Sequence, residues 1–198
     1  MMIMNNMNKK LLSLGLLLLP VAAFAHPGHE FFNSEFLTGM IHPWTGLDHM
    51  LMAAGLGLLM TRCYHHAGIQ GLGMLLGAIF LGFGLGMLHI IPADSAELGI
   101  SASLAVLATT LWIKSKAPWL MLVGILGMFH GAAHGALTSP DAHWFGFLAG
   151  LTLSTTVLYG IGLFAGRLMK HYFAQRINKR TERVVAVIAG AVAVIGLG

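Results

Sequence analysis

Long apolar stretches separated by short polar connections run through most of the chain. Five of them, at about 36–60, 69–91, 96–113, 117–137 and 143–166, approach or exceed the ~20 residues that cross ~30 Å of hydrocarbon as a helix. A sixth, 184–198, is shorter at fifteen residues. Buried helices of a soluble protein are the plainer explanation of one such stretch, but six in series leave no polar exterior. The pattern therefore predicts an all-α polytopic membrane bundle of six transmembrane helices. Ahead of it stand Lys9 and Lys10, an apolar run over 11–19, Pro20 and the small-residue pattern Ala23-Phe24-Ala25. That run is too short to span, and its flanks are those of a cleavable signal peptide. The expected organisation is a signal peptide over 1–25 and a six-span domain over 26–198.

The charged positions orient the spans. Of eleven Lys and Arg, removing Lys9 and Lys10 leaves nine. Arg62 follows the first span, Lys114 and Lys116 the third, and Arg167, Lys170, Arg176, Lys179, Arg180 and Arg183 the fifth. The opposite connections carry Asp94, Glu97 and Asp141, and the segment before the first span carries Glu30 and Glu35. By the positive-inside rule the even-numbered connections and both termini of the mature chain are expected outside the cytoplasm. The basic stretch 167–183 reads as an interfacial anchor on anionic lipid.

Composition agrees: 57% of the 198 residues are hydrophobic and 9% charged, against ~25% charged in soluble domains. Eleven basic residues, set among connections, do not make a nucleic-acid surface. One cysteine, Cys63, excludes an internal disulfide and a thiolate-cluster metal site. Glycines recur four apart, as at Gly82 and Gly86, Gly131 and Gly135, Gly146 and Gly150, and Gly162 and Gly166, a spacing that lets membrane helices approach closely. The unusual number is eleven histidines against seven carboxylates.

Ionisable side chains within a span are costly and point to function. The first span holds His42-Pro43-Trp44-Thr45-Gly46-Leu47-Asp48-His49, and the fourth holds His130 and His134. His130 and His134 are four apart, on one face of a helix, where two imidazoles can grip one divalent ion. Two packed histidines bonded to carbonyls are the plainer alternative; pairing at ligand spacing beside a buried Asp48 favours the metal. His42 and His49 are seven apart, about 10.5 Å along an ideal helix, too far for one ion. Either Pro43 and Gly46 break the helix, or the two serve successive sites. Asp48 ligates or orients a histidine, with a structural Asp–His pair as its alternative. Read by depth, the ligands form a ladder: His134, His89 and His143 near the outer face, His42 and His130 about 10 Å in, Asp48 and His49 deeper still. Outside, the mature terminus His26-Pro27-Gly28-His29-Glu30 offers His26 and His29 for capture of an ion. Inside, Cys63, His65 and His66 are weaker candidates for release. Imidazole with carboxylate suits nickel, cobalt, zinc or copper(II) over magnesium and calcium. No phosphate-binding G-x-x-x-x-G-K-[ST] loop is present.

The stretch His42-x5-Asp48-His49, with the preceding His26-Pro27-Gly28 and Gly39, resembles the first-span signature of the HupE/UreJ family. Phe129-His130-Gly131-x-Ala133-His134-Gly135 resembles its second. The resemblance covers the whole chain, and one departure stands out: Ala136-Leu137 occupies a place where the family often has an acidic residue. It implies a nickel permease of hydrogenase or urease gene clusters, some members being linked to cobalt. The expected function is thus import of a divalent metal, Ni²⁺ first with Co²⁺ or Zn²⁺ as alternatives, with no organic cofactor and a cytoplasmic metallochaperone as candidate partner. The rival from another class is an intramembrane zinc-dependent hydrolase that attacks with an activated hydroxide, with Ser101, Ser103 and Ser154 available in the spans to assist. If the signal reading holds, N-terminal sequencing of the membrane-extracted chain begins at His26; a chain retaining residues 1–25 refutes it.

Overall fold

A computed structural model describes residues 34–63, 66–112, 119–138, 144–172 and 175–195. The expected signal peptide and the expected mature terminus at His26 fall outside these. Among the described residues the fold is all helical, with seven helices: α1 (Glu35–Thr45), α2 (Leu47–Met60), α3 (Ala67–Met87), α4 (Ala93–Trp112), α5 (Trp119–Ala136), α6 (Trp144–Tyr172) and α7 (Gln175–Ile195). Three helices are long and apolar enough to cross a membrane, at Ala67–Met87, Ala93–Trp112 and Trp144–His171, while Leu47–Met60 and Met121–Ala136 are shorter apolar helices. Helices α1 and α2 are the two halves of the first apolar stretch, divided at Gly46. Ser34 caps the start of α1, its Oγ accepting from the Leu37 N–H at 3.5 Å, and Glu35 favours the same helix end by its charge.

Two close helix pairs form the body. In the first, α3 lies on α5: a Cβ at Gly82 would strike the Met128 carbonyl, and one at Gly131 would strike that of Ile79. In the second, α6 lies along α1 and then α2: Gly150 faces the Phe36 carbonyl and Gly162 that of Ala54. In each pair residue numbers rise together, so the partners run parallel. Here the four-residue glycine spacing has its physical use, since any side chain at these positions would force the backbones apart. Helix α4 closes the bundle against α5 and α7. Met52, Leu56 and Leu59 of α2, Leu75, Ile79 and Phe83 of α3, Leu104 and Leu107 of α4, and Tyr159 of α6 fill the core. The outer surface stays apolar, with Ile69, Leu81, Ile161, Phe164 and Val194 all exposed, as lipid contact requires and water would not tolerate.

The basic stretch departs from the sequence expectation. Arg167 and Lys170 belong to α6, and residues 175–183 open α7, so much of what read as a connection is helix. Two cations clamp this end of the bundle. Arg62 donates through Nε to Glu182 Oε1 at 2.9 Å and makes a second bond from Nη2 to Oε2. It also donates to the carbonyls of Thr110 at 3.3 Å and Leu111 at 2.8 Å, in the last turn of α4. Lys170 Nζ donates to the Thr61 carbonyl at the end of α2. Orphan carbonyls at two helix C-termini thereby gain cationic donors. Glu182 is buried, and its carboxylate answers the Arg62 charge in a place that no motif singles out.

Because Arg62 would otherwise be left uncompensated, Glu182→Ala should destabilise the micelle-bound protein by ~3–5 kcal/mol. Replacing both residues by leucine should recover more than half of that loss. Denaturant titration of the three proteins measures it; a neutral Glu182→Ala shows that the pair contributes nothing.

Candidate metal site

The site begins with a break in a helix. Pro43 lies inside α1 and has no N–H to donate. At Gly46 the backbone turns to extended geometry, φ −90° and ψ 115°, while its N–H still bonds the His42 carbonyl at 3.1 Å. Helix α2 restarts at Leu47, its first hydrogen bond running from the Met50 N–H to the Gly46 carbonyl at 3.1 Å. Of the two outcomes the sequence left open, the break is the one observed. It brings the rings of His42 and His49 to 4.7 Å between centroids, against the ~10.5 Å axial separation of an unbroken helix. It also gives Asp48 a place in the first turn of α2, where a negative charge meets the positive helix end.

Helix α5 supplies the other two imidazoles. His134 Nε2 and His49 Nε2 are 2.8 Å apart, and the His134 ring is 4.6 Å from that of His42. His49 Nδ1 lies 3.0 Å from Asp48 Oδ2. That contact is one of charge, without hydrogen-bond alignment, and between the two Nε2 atoms the ring that carries the proton donates to the other. His130 Nδ1 donates to the Leu126 carbonyl at 2.9 Å, which fixes its tautomer and leaves the Nε2 lone pair facing inward. That buried nitrogen has no hydrogen-bond partner and sits 3.9 Å from Asp48 Oδ2. His49, His130 and His134 are buried, His130 to 1% exposure. Phe147 of α6 walls the cluster, its ring 5.5 Å from His134 and 6.0 Å from His42.

Five of the expected ligands thus meet: His42, Asp48, His49, His130 and His134. They offer two sets of ligand atoms, His42/His49/His134 and Asp48/His49/His130, each with its atoms within 4.8 Å of one another. The ladder of separate depths is overturned. A direct His49–His134 contact puts both at one level, because the break at Gly46 swings His49 back towards the end of the bundle where His134 lies. His89 is exposed, just beyond α3 with φ 54°, and joins neither set. Cys63 and His66 lie past the far end of α2, with Cys63 about 20 Å along the helix from His49. His26, His29, His65 and His143 lie outside the described residues. Sequence reasoning passed over Phe147. The carbonyl bond it raised as the plainer alternative for the histidine pair is present at His130, to Leu126.

The HupE / UreJ protein family model matches residues 14–198. The chain is also similar to Protein HupE of Rhizobium leguminosarum bv. viciae, 29% identical over 187 residues and 93% of each chain. No solved structure matches. With the family model spanning nearly the whole length, the chain belongs to the HupE/UreJ family.

Gly46 offers a test that removes no ligand. A Cβ there would stand 2.8 Å from Asp48 Oδ1 and 3.0 Å from His49 Nδ1, while the backbone angles suit any residue. Gly46→Ala should therefore leave thermal stability in detergent nearly unchanged and weaken divalent-metal binding by about tenfold, the lower end for disturbing a ligand's support. Unchanged binding means that the pair is not part of the metal site.

Proposed function

We propose that this member of the HupE/UreJ family is an inner-membrane permease that imports a divalent transition metal, Ni²⁺ in the first place, for maturation of a hydrogenase or urease. The observation that carries the reading is the buried cluster of four imidazoles and one carboxylate at a broken helix. Interrupted helices are where transporters place ion sites, and a buried ionisable group in a span is kept at a cost. Asp48 supplies the negative charge that a partly dehydrated dication needs in low dielectric. Imidazole nitrogens select against magnesium and calcium.

The helix pairing supports an inverted repeat of three spans and three. Exchanging each span of the first half for its counterpart turns the α3–α5 pair into the pair of α6 with α1 and α2, and both pairs are parallel and glycine-faced. The first and fourth spans meet through their histidines, as a site between repeats requires. A membrane potential negative inside favours entry of a dication by ~4.6 kcal/mol per 100 mV, so transport needs no nucleotide. The zinc-hydrolase alternative gains one observation, the buried Ser154 hydroxyl without a hydrogen-bond partner. Clustering of the ligands no longer argues against it; family membership does. A tightly held, non-exchanging zinc would favour the enzyme.

Radiolabelled nickel uptake into cells expressing the chain, with cobalt and zinc as competitors, tests the reading. Asp48→Asn keeps shape and much of the hydrogen bonding but removes the charge, and should abolish uptake in a protein that still inserts. His49→Ala and His130→Ala should fail similarly. His29→Ala should only raise the concentration for half-maximal uptake. Normal uptake in Asp48→Asn, with loss only in His29→Ala, would make the buried cluster structural.

A further inference from the structure

We infer that the cluster is not one five-ligand shell but two alternative positions for a single ion, exchanged across the ring of His49. This rests on the reading of the cluster as the path of the transported metal, and adds how the ion moves within it. The two ligand sets have one residue in common, His49, and they use opposite sides of its ring. Nε2 faces His134 at 2.8 Å, and Nδ1 faces Asp48 at 3.0 Å. The lone pairs of the two ring nitrogens diverge in the plane of the imidazole, so an ion bonded to one is out of reach of the other. An ion on His42, His49 and His134 therefore does not share the His49 nitrogen that faces Asp48, and an ion on Asp48, His49 and His130 does not share the one that faces His134.

The two positions differ in chemistry. The first is built of neutral imidazoles and bordered by Phe147. The second includes the carboxylate and His130, whose Nε2 lone pair is left free by the bond from Nδ1 to Leu126. His130 lies one turn before His134 on α5, about 6 Å along its axis, so a shift between positions is also a shift along the bundle. Two dications separated by one imidazole repel strongly in the interior, so the positions fill alternately. Passage between them requires that the ion exchange one nitrogen of His49 for the other, that the His49 ring proton move to the nitrogen the ion leaves, and that the remaining ligands change from two histidines to a histidine and a carboxylate. A neutral set that takes up the ion and an anionic set that draws it onward make a directional step.

The test is a double-mutant cycle on the full chain in detergent micelles, with Ni²⁺ as the probe. If there are two positions, His134→Ala leaves the set with the carboxylate intact, and His130→Ala leaves the all-imidazole set intact. Each single variant should then lose less than about tenfold in affinity, and the double variant more than about a hundredfold, well beyond the product of the singles. The bound ion should absorb differently in the two single variants, since one retains a carboxylate ligand and the other does not. His42→Ala with Asp48→Asn repeats the cycle on different residues, should either first variant fail to insert. Both single variants should lose uptake in cells, because the step needs both positions. Losses of more than about a hundredfold in each single variant, or identical spectra in both, overturn the inference and indicate one shared shell. The permease reading fails separately: a wild-type chain that binds nickel in this two-position pattern but takes up none would refute transport and leave the divided site standing.

Discussion

The break of the first span at Gly46 is the constraint on which the site depends. An unbroken helix would hold His42 and His49 on one face but two turns apart, and would put Asp48 in mid-helix. Ending α1 at Thr45 and restarting at Leu47 folds those two turns together and creates a helix end inside the bundle. Both consequences matter chemically. Two imidazoles become neighbours, and the positive end of α2 receives the one carboxylate of the cluster. The break needs little special chemistry. Pro43 removes a donor that an intact helix would use, and glycine leaves room beside Asp48 and His49 where a Cβ would intrude. The extended angles at Gly46 do not themselves demand glycine. Space does.

A broken helix in an apolar bundle must be held from outside, and the close helix pairs do this. Helix α6 runs along both halves of the first span, touching α1 near Gly39 and α2 near Gly57. One continuous helix thus splints the interruption. Helix α3 holds α5 in the same way, so that His130 and His134 face the break at a fixed level. At the far end, Arg62 ties the last turn of α4 to α7, and Lys170 ties α6 to the end of α2. The histidine cluster therefore sits within a frame in which backbone contacts leave little freedom.

The sequence carried the fold at the level of apolar stretches. Its helices fall close to the predicted positions because hydropathy over some twenty residues is a strong signal. It also carried the site residues, since a histidine or aspartate within such a stretch is conspicuous. Their mutual arrangement was not legible, because depth was counted along ideal helices from sequence number alone. That arithmetic holds for His130 and His134, on one unbroken helix, and fails for Asp48 and His49, past a break whose angle no spacing encodes. Glu182 was missed for a related reason. It stands among basic residues with no motif to mark it, and only the approach of α7 to α4 shows that it meets Arg62. Local pattern reports what a residue is next to in the chain, and both failures concern what it is next to across the bundle.

The arrangement of cations bears on how much the positive-inside pattern can be trusted in such a chain. Arg62 and Lys170 have work of their own at helix C-termini, which would explain a basic residue there whatever the orientation of the bundle. A capping role accounts for the residue type but not for its side. The ends of α2 and α4 lie close enough for one arginine to reach Glu182 and the α4 carbonyls from just beyond α2, so the caps they demand collect at one end. Lys170, near the end of α6, reaches that same end of α2. The opposite end, by contrast, has the ligand cluster, where a fixed cation would repel a metal and would pair with Asp48. The asymmetry from which the positive-inside rule infers an orientation also keeps these two cations away from the cluster.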